Sequence, residues 1–442
     1  MPPIRKNPTL SDDLISEILV RVQVKSLLRF QSVCKTWLSL IKDPAFVKSQ
    51  LRHATTTETN QTLIISHYSK PDEENRILLF HIDSREIEVD LKYPYSRDEF
   101  KYVPFSTVVG SANGIVCVAV DFINFKVIYL WNPATWQAKV ISTFRVVHDE
   151  ALGFGYDVID DDYKIVRVVM QPSFSEVYSV KRNVWRKVPD PIDTPLEGDF
   201  DVCVNGFLCG IGDYGMMAFD LNKEVLNCGI KLPVISVDNG NDNENDYYDD
   251  FGDGIDNGVD YDDFGDNIDN GDDYDDFGDN IDNGDDYDDD ETRITESNAC
   301  IIEFNKSIGV IILRDTGLNA DKKVYMCTLD DEACLRGGGV EASWALMFSI
   351  DLVMRAYITH GYFSNRDLQI ILDYADVWIS CNVDKREAKI VPLLIGMAKH
   401  QYNRHIYKYT ESLVSVEGFR QVDWNGGDDD SYKASLYLYS LC

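Results

Sequence analysis

The sequence predicts a chain that is α+β by segment: a small N-terminal helical module, then an all-β, propeller-like domain interrupted by a disordered acidic insert. Three observations predict it. Residues 10–41 place apolar side chains at three- and four-residue steps. From Thr62 onward, short runs of Val, Ile, Tyr, Phe and Trp alternate with Asn-Gly, Asp-rich or Gly-containing turns. Residues 238–291 hold 25 acidic residues and no Lys or Arg. The expected boundaries are 1–50 for the helical module, 51–61 for a connector, 62–237 and 292–416 for the two parts of the β-domain, 238–291 for the insert and 417–442 for a C-terminal tail.

In the helical module, Leu14, Ile15, Ile18, Leu19 and Val22 fall on one helical stripe. Ser11 is placed to cap that helix, and Asp12 and Asp13 then face the positive end of its dipole. A second pattern, Leu27, Phe30, Cys34, Trp37 and Ile41, repeats at three, four, three and four. Leu28, Val33 and Leu40 widen that face beyond what one small helical pair can bury, so the hairpin is expected to meet a partner. Periodicity alone fits equally a hairpin packed on its own domain.

Net charge is −33, from 42 basic and 75 acidic residues, which argues against nucleic acid as a partner because phosphate repels such a surface. The charge is concentrated in the insert; without it the remainder carries 50 acids against 42 bases, a net of −8. Ten cysteines show no paired spacing, and several sit in apolar strand-like runs, which fits free thiols in a reducing compartment. The first residues contain no apolar signal core and no run reaches membrane-spanning length, so cytosol or nucleus is the expected location.

In the β-rich part no helical pattern interrupts the strands, which argues against a parallel βαβ arrangement. The turns Asn113-Gly114 and Asn205-Gly206 lie 92 residues apart in similar surroundings. Two blades of roughly 46 residues would span that interval, and the whole domain would hold roughly six. A pair of β-sandwiches is the alternative.

Leu10, Leu14, Ile18, Leu19, the Val24 to Leu27 step, Phe30, the Val33 to Lys35 step and Trp37 together resemble the F-box, the motif that docks a substrate receptor onto the Skp-type adaptor of a cullin-RING ubiquitin ligase. The resemblance implies that Leu10, Leu14, Ile18, Leu19, Val33, Cys34 and Trp37 meet the adaptor, and through it the cullin and RING subunits. Ser11 and Gln23 stand where that family usually has proline, which removes rigid helix entry points. Further on, Ser111 to Cys117, Leu130 to Thr135, Leu152 to Asp157, Asp161 to Val166, Val177 to Trp185, Ala218 to Leu221, Ser343-Trp344 and Tyr409 to Val414 resemble, in order, the plant F-box-associated domain, most of all its S-locus F-box branch. That resemblance implies a kelch- or propeller-like fold, and a protein target of the kind met in pollen self-incompatibility, a basic secreted-type ribonuclease.

Within the insert, 249–261, 262–274 and 275–287 share a thirteen-residue repeat. A segment this acidic and Gly-rich is expected to be disordered. It lacks EF-hand and calcium β-roll spacing, so no metal is implied; an electrostatic lure for basic proteins is the functional alternative to a solvated loop. Gly210 to Gly215 fits G-x-G-x-x-G, but the strand-like Met216 to Leu221 follows it, so a hairpin turn is expected and not a phosphate loop. His400 and His405 lack a surrounding ligand set. No hydrolase, zinc-protease or nucleotide motif occurs, and no cofactor is implied. The expected function is a non-catalytic substrate receptor of an SCF-type ubiquitin ligase. A propeller enzyme or small-molecule binder with a degenerate F-box is the rival, and it requires a deep central pocket with convergent polar groups.

Overall fold

The structure is a computed structural model. It describes residues 10–56, 62–235 apart from the loops at 70–73, 82–85, 95–104, 148–149, 170–172, 189–198 and 213–214, and 299–422 apart from 316–321, 338, 353–356, 365–366, 374–376, 383–384, 386 and 393–405. The acidic repeat, His400 and His405 lie outside the described residues.

Four helices come first: α1 (Asp12–Val20), α2 (Val24–Phe30), α3 (Lys35–Lys42) and α4 (Pro44–Thr56). The strands follow as β1 (Thr62–Ser69), β2 (Glu74–His81), β3 (Glu86–Lys92), β4 (Phe105–Ala112), β5 (Ile115–Asp121), β6 (Phe125–Asn132), β7 (Gln137–Arg145), β8 (Glu150–Asp157), β9 (Asp162–Val169), β10 (Phe174–Ser179), β11 (Val184–Val188), β12 (Val202–Val204), β13 (Phe207–Gly212), β14 (Gly215–Asp220) and β15 (Val225–Ile230). After the insert come β16 (Ala299–Phe304), β17 (Ser307–Asp315), β18 (Lys322–Leu329), β19 (Trp344–Leu352), β20 (Tyr357–Ser364), β21 (Asp367–Asp373), β22 (Val377–Asn382), β23 (Glu387–Pro392), β24 (Ile406–Tyr409) and β25 (Arg420–Gln421).

These strands form six antiparallel sheets, each a blade of four consecutive strands, with two exceptions. In blade 1 the order is β24-β1-β2-β3, so a late strand completes the first sheet; in blade 2 the short β25 adds to the outer edge of β7. Inner strands of successive blades meet: β4 lies against β1 and β24, β8 against β4 and β13, β16 against β12 and β13, and β20 against β16. This is a propeller-like all-β domain behind a helical module.

Packing between blades explains why the strands read as continuous apolar runs. Along β5, Val116, Val118 and Val120 enter the core shared with Ile64 and Ile77 of blade 1, while Ile115, Cys117 and Ala119 enter the core shared with Phe154 and Ile165 of blade 3. Alternate residues point to opposite faces, and here both faces are buried. Blades 3 and 4 repeat the scheme through Val166, Val168, Leu208 and Phe219. Gly153 and Gly155 of β8 permit the approach of blade 4, because a Cβ there would meet Leu208 Cδ1 at 2.7 Å or Cys203 Sγ at 2.6 Å.

The turns behave as the sequence suggests. Asn113-Gly114 and Asn205-Gly206, all with positive φ, close the first hairpins of blades 2 and 4, two blades apart. The glycine-rich 210–215 stretch falls on the β13–β14 hairpin, with Gly212 paired to Gly215. Other features depart from the expectation. The second helical pattern is two helices, because the Cys34 thiol accepts from Trp37 N–H and restarts the helix at Lys35. Helix α4 runs on through 51–56, where a connector is expected, with Pro44 in its first position and Asp43 Oδ1 accepting from Ala45 and Phe46 N–H at 2.8 and 3.3 Å. Residues 417–422 also run on as ordered structure, β25 pairing with Gln137 and Ala138.

Candidate functional site

Two surfaces of α1 separate at its N-cap. Ser11 Oγ accepts from Leu14 N–H at 3.4 Å, and Asp12 and Asp13 occupy the first turn. At 100° per residue, Leu14, Ile15, Ile18 and Leu19 span about 140° of the circumference of α1. Ile15 and Leu19 take the inner part of that stripe. Leu14 and Ile18, one turn apart on the outer part, are 48% and 53% exposed, with Leu10 just ahead of them at 59%. Val33, in the turn between α2 and α3, is 60% exposed. Cys34 is exposed as the cap of α3, and Trp37 is half-buried, edge-on to Phe30 with ring centroids 5.4 Å apart. Leu14 and Ile18 lie one turn apart on one exposed strip of α1, and exposed large apolar side chains are candidates for an interaction surface.

Leu19 corrects the sequence expectation. It is 3% exposed and belongs to the module's own core with Val24, Leu27, Ile41 and Phe46. A 140° stripe does not say which half turns inward. In the structure the half containing Leu19 does, so Leu19 offers no surface to a partner.

The sixth member of that core comes from the far end of the chain. Leu413 is buried among the module's apolar side chains, with Ala134 of the β6–β7 turn packed beside it. Its neighbours bind the propeller. Asn132 Nδ2 donates to the carbonyls of Ser412 and Val414 at 3.0 and 2.8 Å, while its Oδ1 accepts from Ala134 and Thr135 N–H at 2.9 and 3.3 Å. Ser412 Oγ donates to the Asn113 carbonyl at 2.6 Å. Gly114 sits so close that a Cβ would meet Ser412 Oγ at 2.2 Å. The Asp161 carboxyl of the β8–β9 turn is held below its ordinary value chiefly by the Tyr156 hydroxyl that donates to it and, to a smaller degree, by the charge of Lys48 on α4. The helical module is therefore seated on the propeller rim at the β4–β5 and β6–β7 turns of blade 2. Sequence reasoning missed Asn132, Ser412 and Leu413 as a functional set. Both stretches carrying them stood out as motifs, but nothing in one sequence links positions 280 residues apart.

Between blades 3 and 4 on the same rim, Lys164 is buried with Asp157, Asp160 and Glu224 at 2.8, 3.2 and 3.1 Å, and donates to the Leu221 carbonyl at 2.6 Å. Burial pushes the Asp157 carboxyl up, but hydrogen bonds from Lys164, Asn222 and two backbone N–H groups outweigh it and leave the group below its ordinary value. For Lys164 burial opposes the charge and the paired carboxylates win, so its pKa is raised.

The rival reading needs a pocket. The inner strands enclose a cavity of about 110 Å³ lined by Ser111, Asp201, Cys203, Cys300, Glu303 and Lys408, among others. Glu303 and Lys408 pair with each other at 3.2 Å. Ligand pockets run from about 300 to 1,000 Å³, so this space suits water better than a substrate. Of the thiols lining it, burial pushes Cys203 up to about 12, away from the reactive thiolate.

Comparison with known proteins follows the same division. Residues 8–49 match the F-box domain, and residues 72–244 match the F-box associated beta propeller domain. The chain is similar to the F-box/kelch-repeat protein At3g23880 of Arabidopsis thaliana, 32% identical over 234 residues, covering 48% of this chain and 62% of the relative. It is similar also to the putative F-box protein At3g16210 of the same plant, 30% identical over 179 residues, covering 40% and 46%. F-box protein CPR1 of that plant is 26% identical over 200 residues, covering 41% and 45%. The matched stretches span about half of these relatives' lengths. Among solved structures, TolB from Acinetobacter baumannii superposes with a TM-score of 0.39 at 8% identity, covering 83% of this chain and 72% of that one. The chain thus joins an N-terminal F-box to an F-box-associated β-propeller domain.

Proposed function

We propose that this chain is the substrate-recognition subunit of an SCF-type ubiquitin ligase, with the F-box docked on a Skp-type adaptor and the propeller holding a protein target. The observation that carries the reading is the exposed apolar set Leu10, Leu14, Ile18 and Val33, on a module whose core is filled by other residues and whose sequence matches the F-box domain. Cys34 and Trp37 border that set and complete the contact surface. The chain does no chemistry of its own. It raises the effective concentration of the target's lysines at the ubiquitin-charged enzyme, which converts a bimolecular encounter into an intramolecular one. The F-box occupies one rim, so the target takes the other, where the β5–β6 loop presents Ile123.

The target is a basic protein, in the finer reading a secreted-type ribonuclease of pollen self-incompatibility. The net charge of −33 and the 25 acidic residues of 238–291 support a basic partner by long-range steering. Free cysteines support a reducing cytosolic or nuclear setting; among the described residues no helix is long and apolar enough to cross a membrane.

The test is co-purification with a plant Skp-type adaptor, beside the Leu14→Asp/Ile18→Asp variant. A stoichiometric complex with the parent chain, lost in a variant that keeps its thermal midpoint, is the expected outcome. An adaptor that ignores the parent chain, or binds the variant equally, refutes the reading.

A further inference from the structure

Five of the six buried side chains in the F-box core belong to α1–α4, and the sixth, Leu413, arrives from beyond β24. The path it takes is short. β24 completes blade 1 by pairing with β1, in a register that sets Thr62 opposite Tyr409 and Ile65 opposite Ile406. Leu413 follows Tyr409 by four residues, and α4 ends at Thr56, six residues before Thr62. The rung Thr62–Tyr409 is thus the point from which the F-box departs in one direction and its missing core residue in the other.

Residues 412–414 act as a two-sided staple. Ser412 and Val414 are held on the propeller by Asn132 and Asn113, and Leu413 between them enters the F-box. Successive side chains of an extended segment point to opposite sides, so a three-residue strap reaches both bodies at once. A module of this size has a core that is marginal by itself, and removing one of six buried members takes a large share of it.

We infer that the F-box is ordered for docking only once β24 has paired with β1 to complete blade 1, so that this late pairing licenses adaptor binding. A chain whose β24 is unpaired or missing leaves Leu413 unplaced, loosens α1–α4 and withholds itself from the ligase. The adaptor half of this statement rests on the proposed function; the coupling between β24 and α1–α4 does not.

Hydrogen exchange read by mass spectrometry on the full-length free chain, with adaptor titration alongside, tests it. In Leu413→Ala, α1–α4 exchange at least about tenfold faster and adaptor binding weakens by a similar factor, while β5 and β6 keep parental protection. Leu413→Met restores both. Tyr407→Pro interrupts β24 without touching any F-box residue, and α1–α4 then exchange faster together with β1. Val166→Ala, a change at a fully buried position in blade 3, leaves α1–α4 as in the parent. Faster exchange in β1 with α1–α4 unchanged overturns the inference, as does a Leu413→Ala chain whose α1–α4 protection is intact. If the parent chain binds no adaptor, the docking reading falls and the exchange comparison still decides the coupling.

Discussion

Ile18 and Leu19 are sequence neighbours with opposite assignments, and replacing each by alanine separates docking from folding. Ile18 is 53% exposed and Leu19 is 3% exposed. Ile18→Ala removes three carbons, about 0.8 kcal/mol apiece when taken out of water. About half of that surface is open to a partner, leaving about 1.2 kcal/mol of binding, a little under tenfold in Kd. Its effect on folding is within about 0.5 kcal/mol, since alanine is the better helix former and no cavity opens. Leu19→Ala instead empties a filled core and costs about 2–5 kcal/mol of stability. Urea unfolding of the free chain gives the second quantity, and calorimetric titration with the adaptor gives the first. Equal loss of stability in the two variants refutes the division of the α1 stripe, and undiminished adaptor affinity in Ile18→Ala removes that residue from the contact surface.

Two further outcomes follow from the geometry. Cys34 is exposed beside the apolar set, so alkylation mapped by peptide mass spectrometry modifies it in the free chain and is blocked by bound adaptor, whereas the buried Cys117 and Cys209 react only after denaturation. At the buried Lys164, the depressed Asp157 contributes stability that is present above the ordinary carboxylate value of 3.8 and lost as pH falls through the lower folded value. Asp157→Asn therefore costs about 1–3 kcal/mol at neutral pH, and the gap from the parent chain, read as urea midpoints between pH 7 and pH 2, narrows in acid; a gap that widens in acid contradicts the assignment.

Much of the fold was legible because local chemistry and final structure agree. Ser11 caps α1, the Asn-Gly turns close hairpins two blades apart, and the Val- and Ile-rich runs are strands with both faces buried. The break between α2 and α3 was hidden, since Leu27, Phe30, Cys34, Trp37 and Ile41 keep helical spacing straight through it and a thiol cap decides the matter. Helix α4 was hidden by its polarity: only Phe46 and Gln50 of its thirteen residues are buried. The candidate contact surface was legible as a set and not by member, because Leu19 and Ile18 share one stripe. Leu413 was beyond reach, its role being defined by helices about four hundred residues upstream.

That separation in sequence is also a separation in time. Leu413 follows Leu19 by 394 residues. At 5–20 residues added per second, Leu19 is made roughly 20–80 s before Leu413, the last residue of its core. For that interval the nascent chain carries its docking helices without the strap that settles them, and a chaperone able to cover Leu14, Ile18 and Val33 has the first claim on them.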